Sequence, residues 1–141
     1  YPQTPELRQA VVDITRKVID ENWVVVEDKN PANAFTISKW VAAVFACTIE
    51  KRAVIASYNK IVDEARKGSE FPALCQRAPF LILQYPEMVK QADWMLGRML
   101  DILVDKKNLL IFTEDRMLLE DALGPAITNM ISAKTNGTHV Q

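Results

Sequence analysis

The chain reads as mainly α: a single-domain bundle of four to six helices around one long central helix. Two observations carry that expectation. From Thr36 to Lys67 the residues Trp40, Val44, Cys47, Lys51, Val54, Tyr58, Ile61 and Ala65 recur at alternating steps of four and three, the spacing that holds side chains on one stripe of a helix. Only four glycines occur in 141 residues, so tight turns are few and long helices are favoured over many short strands. With 49% apolar and 25% charged residues, the composition is that of a folded globular protein.

The first helix is expected over 4–22. Thr4 is a good N-cap, Pro5 suits the first helical position, and Glu6 lies near the positive end of the dipole. Leu7, Val11, Ile14 and Val18 make its buried stripe. The β-branched run Trp23–Val26 either extends that helix or forms a brief strand, and Glu27–Asn33 reads as a loop. The central helix, 36–67, is apolar nearly all round from Trp40 to Ile49, amphipathic beyond Val54, and ended by Gly68. Pro72, Pro79 and Pro86 break 69–86 into short turns. A third long helix runs from Pro86 to about Lys107, and a fourth starts at Thr113 and is kinked by Gly124-Pro125. The domain spans 1–134 and a polar tail follows over 135–141. The alternative is α+β, with Trp23–Val26, Phe80–Leu83 and Leu109–Phe112 pairing into a small sheet.

The net charge is −1, and the basic pairs Lys51-Arg52, Arg66-Lys67 and Lys106-Lys107 are scattered among acids. Without a sustained positive segment, nucleic acid is not the expected partner. Two cysteines define no disulfide framework, and Cys47 in an apolar helix reads as a buried free thiol. That favours a reducing, intracellular setting, against which the glycosylation-like triplet Asn136-Gly137-Thr138 speaks weakly. The longest charge-free apolar run, Trp40–Ile49, falls short of the roughly twenty residues that span a bilayer. A chain beginning at Tyr1 is expected to be a processed product or an excised domain.

No Gly-rich phosphate loop, zinc-ligand spacing or nucleophile elbow is present, and the one histidine, His139, lies in the tail. The pairs Asp101/Asp105, Glu114/Asp115 and Glu120/Asp121 read as solvated helix faces, not as acid–base or metal sites. Catalytic, cofactor and metal residues are therefore none, and the chain is not expected to be an enzyme. Interface candidates are Trp94, Arg98, Gln91 and Lys51. Trp94 falls among Glu87, Gln91, Arg98, Asp101 and Asp105 on the polar arc of its helix, where either the proline-rich 69–86 segment or a partner covers it. Lys51 interrupts the apolar seam and so sets register, or lies along it by its alkyl stem.

The leading expectation is a non-catalytic interaction or assembly module (scaffold, adaptor or viral structural component) that forms a homodimer. A small-molecule site around Met88, Met95, Met99, Trp40, Phe45 and Tyr58 is the first alternative, and nucleic-acid binding the second. On this reading Val44→Asp places an unpaired charge in the core and lowers the melting temperature sharply. Trp94→Ala melts like the parent but weakens association in equilibrium sedimentation.

Overall fold

In the computed structural model, which describes residues 4–88 and 93–135, the three short apolar runs are strands and a fourth lies inside the expected central helix. The strands are β1 (Trp23–Glu27), β2 (Ala53–Ser57), β3 (Phe80–Gln84) and β4 (Asn108–Thr113). All pairings are parallel, in the order β1-β4-β3-β2, with Val25 opposite Ile111, Ile111 opposite Leu83, and Leu83 opposite Ala56. The fold is α/β, which corrects the all-helical bundle; the α+β alternative fits in part, since its three runs do pair into one sheet, a parallel one. Parallel neighbours cannot be joined by hairpins, so each connection must carry a helix, and the central strands must be apolar on both faces. Phe80–Leu83 and Leu109–Phe112 are such runs, and every residue in them is buried.

The expected 36–67 helix divides into α2 (Pro31–Ile49), β2 and α3 (Tyr58–Arg66). Asn30 caps α2 and Pro31 takes its first position, repeating Thr4-Pro5 at the start of α1 (Pro5–Glu21). The break after Ile49 has no glycine to announce it, because Glu50 itself adopts the left-handed conformation at φ 62°. Val54, Tyr58 and Ile61 then keep helical spacing by coincidence, across a strand and the first turn of α3. The buried face of α2 is Ala34, Ile37, Val41 and Phe45, one position out of phase with the expected seam. Trp40 and Val44 are only partly buried and Cys47 is exposed. In length and composition α2 resembles a bilayer-spanning helix; its inner face packs on the sheet, and one such helix is weak evidence for a membrane.

The chain crosses the whole sheet once, from β1 to β2 through α2, and then steps back through β3 to β4. Right-handed crossovers in opposite directions place their helices on opposite faces. Accordingly α1 and α2 cover the face carrying Val24, Val26, Phe80, Ile82, Leu110 and Phe112. The other face, with Trp23, Val25, Leu81, Leu83, Leu109 and Ile111, is covered by α3, α4 (Phe71–Arg77), α5 (Asp93–Leu103) and α6 (Arg116–Thr135). Helix α6 is divided at Gly124 (φ 79°), as the Gly124-Pro125 pair requires. Lys106, a member of one of the scattered basic pairs, is buried. Its ammonium donates to the carbonyls of Cys75, Gln76 and Ala78, tying the α4–β3 turn to the start of β4.

The phase of α2 gives a direct test. Val41 is fully buried against the sheet and Val44 is not. Val41→Asp should cost several kcal/mol, on the order of the tail of single-mutant effects. Val44→Asp should cost clearly less, because its carboxylate reaches water. Urea melts of the two variants separate this packing from the opposite phase, in which Val44→Asp is the worse.

Candidate functional site

Open parallel sheets bind ligands beyond the carboxyl ends of their strands, where neighbouring strands send their connections to opposite faces. Here β1 leads into α2 on one face and β4, its neighbour, into α6 on the other. The crevice so formed lies between residues 27–30 and 113–116.

Its anion-binding positions are already filled. The Asp28 carboxylate accepts the Asn30 N–H at 2.8 Å, and the Asn30 side chain accepts the Ala32 N–H at 3.1 Å. Pro31 has no N–H to offer. Across the crevice, Glu87 accepts the Glu114 N–H at 2.7 Å, while Asp115 accepts those of Met117 and Leu118 at 2.8 and 3.3 Å. Tyr85 seals the opening. Its backbone is left-handed (φ 48°), its N–H donates to the Phe112 carbonyl at 2.8 Å, and its hydroxyl donates to the Asp28 carbonyl at 2.7 Å. Burial, then the carboxylates of Asp28, Glu87 and Glu114, push its phenol well above the ordinary value, so it stays a donor. A bulky residue held at positive φ is strained, and such strain concentrates at sites where geometry matters.

Beside Tyr85, at the ends of β2 and β3, lies a pocket of about 300 Å³ lined by Pro31, Phe35, Ser57, Tyr58, Asn59, Gln84, Tyr85 and Met88. Its walls are mostly apolar, with Phe35 48% and Met88 61% exposed. The Gln84 amide donates to Ser38 Oγ at 3.0 Å, which fixes the amide plane. The Tyr58 hydroxyl is buried without a hydrogen-bond partner among the described residues, and burial pushes its pKa up to about 12.

A larger groove, about 610 Å³, opens between the α3–α4 turn and α5. Gly68, Ser69 and Pro72 form one wall, and Trp94, Gly97, Arg98 and Asp101 the other. Trp94 is 53% exposed, so the proline-rich segment borders it without covering it. A side chain at Gly97 would meet nothing within 4 Å, which leaves the floor open.

Of the residues singled out in the sequence, Trp94 and Arg98 thus share one groove. Lys51 lies far from it, in the α2–β2 loop at the amino end of the sheet, where it lines a small cleft with Lys107 and Asn108. Being outside any helix, it sets no register. Gln91, His139 and the 136–138 triplet fall outside the described residues. Asp101 and Asp105 are exposed, and Arg116 pairs with Glu120 at 3.4 Å. Among the described residues no group of three or more His, Cys, Asp or Glu is placed to hold a metal. Sequence reasoning missed Phe35, Gln84 and Tyr85. Asn30-Pro31 as a helix start, and a strand ending at Gln84-Tyr85-Pro86, were the available signals.

No protein-family profile and no curated protein matches the chain by sequence. Solved structures do match. A DNA replication initiation factor superimposes with TM-score 0.69 at 12% identity, over 98% of this chain and 46% of that one. The initiator DnaA from Aquifex aeolicus bound to AMPPCP gives 0.64 at 11%, over 100% and 47%. DnaA bound to AMPPCP and single-stranded DNA gives 0.64 at 12%, over 99% and 46%. The fold is shared with DNA replication initiators. The chain spans less than half the length of those proteins. This likeness overturns the all-helical assembly module, and the thirty-residue seam from which a homodimer was expected does not exist. It also overturns the setting aside of nucleic acid, since one protein of this fold is bound to single-stranded DNA.

The β1–α2 turn here does not suit a nucleoside triphosphate of the kind that two of those structures hold. The segment from Glu27 to Phe35 contains no glycine, offers no free N–H at Pro31 or Ala32, and carries Asp28 where a phosphate would need donors. Millimolar ATP with magnesium should therefore shift the melting temperature by less than ~1 °C. A micromolar site would instead stabilise the fold by about 4 kcal/mol at a thousandfold excess over Kd. A rise of several degrees would show that the turn opens to take phosphate.

Proposed function

We propose that this chain is a single-stranded nucleic-acid-binding domain that does not hydrolyse nucleoside triphosphates. The observation that carries the reading is the Trp94 groove. A half-exposed indole flanks an open glycine floor, with Arg98 on the same helix and the exposed pair Arg66-Lys67 just before Gly68. Single strands are held in this way, by bases stacked on aromatic faces and phosphates met by a few cations. The likeness to an initiator bound to single-stranded DNA supports the same ligand class. Sealing of the crevice by Tyr85, and the carboxylates on its backbone donors, support the absence of triphosphate chemistry. An intracellular location goes with this role.

The groove also carries Asp101, and Asp63, Glu64 and Glu70 lie nearby in sequence, so the electrostatic contribution is small. Three cations predict a shallow salt dependence, a slope of about −2 in log K against log salt. Trp23 is buried and Trp40 partly so, which makes Trp94 the reporting fluorophore. A single-stranded oligonucleotide should quench the intrinsic fluorescence at low salt. Trp94→Ala should lose the quenching and ~1–3 kcal/mol of binding while melting like the parent. Equal binding by Trp94→Ala, or no binding at 50 mM salt, would refute the reading.

A further inference from the structure

The Trp94 groove holds two opposite charges that the fold itself does not use. Arg98 and Asp101 both line it and both are exposed. Among the described residues neither is bonded to the other or to any third group. A carboxylate repels phosphate, so a groove that only followed a strand's backbone would have no use for Asp101. We propose that the groove selects guanine within a single strand: Trp94 stacks the base, Arg98 donates to its O6 and N7, and Asp101 accepts from its N1–H and 2-amino group. This rests on the groove being the strand-binding site argued above.

Helical spacing brings the three side chains together. Residues 94, 98 and 101 follow at steps of four and three on one side of α5, about 6 Å and then about 4.5 Å apart along its axis. Gly97 lies among them without a side chain, and Gly68 on the facing wall, at φ 70°, has none either. The volume, about 610 Å³, is in the range that takes a molecule of nucleoside size. Arg98 precedes Asp101, the less favoured order for an ion pair along a helix, so holding the two apart for a ligand costs little.

Guanine is the base that satisfies both charges at once. Its O6 and N7 are the paired acceptors that an arginine fork meets bidentately. Its N1–H and 2-amino group are paired donors that match the two oxygens of a carboxylate. These edges adjoin on the ring, as Arg98 and Asp101 adjoin on the helix. Thymine and uracil have no amino group, and their ring N–H stands between two carbonyl oxygens that a carboxylate repels. Cytosine and adenine offer Asp101 an amine, but neither presents Arg98 with the O6/N7 pair. On a strand without guanine, Arg98 is left to the phosphates.

The test titrates the full chain, by Trp94 fluorescence, with two single strands of equal length: thymidine throughout, and the same strand with one central guanosine. Affinities are read from midpoints, because guanine itself quenches indole. The guanosine strand should bind about tenfold more tightly. Its salt slope should be shallower by about 0.7, since Arg98 has moved from phosphate to base. Inosine, which lacks the 2-amino group, should lose part of the gain when it replaces that guanosine. Asp101→Asn and Arg98→Lys, at exposed positions, should melt like the parent and abolish the difference between the strands. Equal affinity of the parent for both strands, or an undiminished preference in both variants, would overturn this inference and leave strand binding standing. If neither strand binds, this inference falls together with the reading it rests on.

Discussion

Parallel pairing of β1, β4, β3 and β2 is the constraint on which the rest of the molecule depends. Each parallel connection needs a helix, and the one reversal of direction, from the α2 crossover to the returning steps, distributes those helices over both faces. The sheet is thereby covered twice, which is why Phe80–Leu83 and Leu109–Phe112 are uninterrupted apolar runs. The same reversal opens the crevice between β1 and β4 and puts the loops that could bind a ligand at one end of the sheet.

What those loops have done with that position separates this chain from a phosphate-binding domain. Helix starts attract anions, and here the anions are the protein's own: Asp28, Glu87 and Asp115, each accepting from backbone N–H groups. Tyr85 then bridges the ends of β3, β4 and the β1 loop through its backbone and hydroxyl. The crevice is held shut by local hydrogen bonds. The accessible surfaces lie to one side of it, at the Phe35–Met88 pocket and the Trp94 groove.

Much of this was legible in the residues, and the parts that were not have physical reasons. Three strands stood out as short apolar runs, and the α1 cap is where Thr4-Pro5 puts it. The wheel over α5 placed Trp94, Arg98 and Asp101 outside and Met95 and Met99 inside, because that helix is well sorted into polar and apolar arcs. Helix α2 is apolar nearly all round, so periodicity could not fix its phase. β2 is a five-residue edge strand whose entry is a glutamate in the left-handed region, and it left no breaker to see. Merging α2, β2 and α3 produced a seam that demanded a partner, and from it came the dimer. The pocket was invisible for another reason: Phe35, Tyr58 and Tyr85 are far apart in sequence and meet only because the crossovers deliver them to one end of the sheet.

The central claim, that nucleic acid meets the α3–α5 groove while the crevice stays closed, is tested most directly by mapping backbone amide shifts with a single-stranded oligonucleotide. The account predicts changes confined to Gly68, Ser69, Trp94, Gly97 and Arg98, with Asp28, Asn30 and Ala32 unmoved. Shifts concentrated at 28–34 and 113–116, with the groove silent, would contradict it.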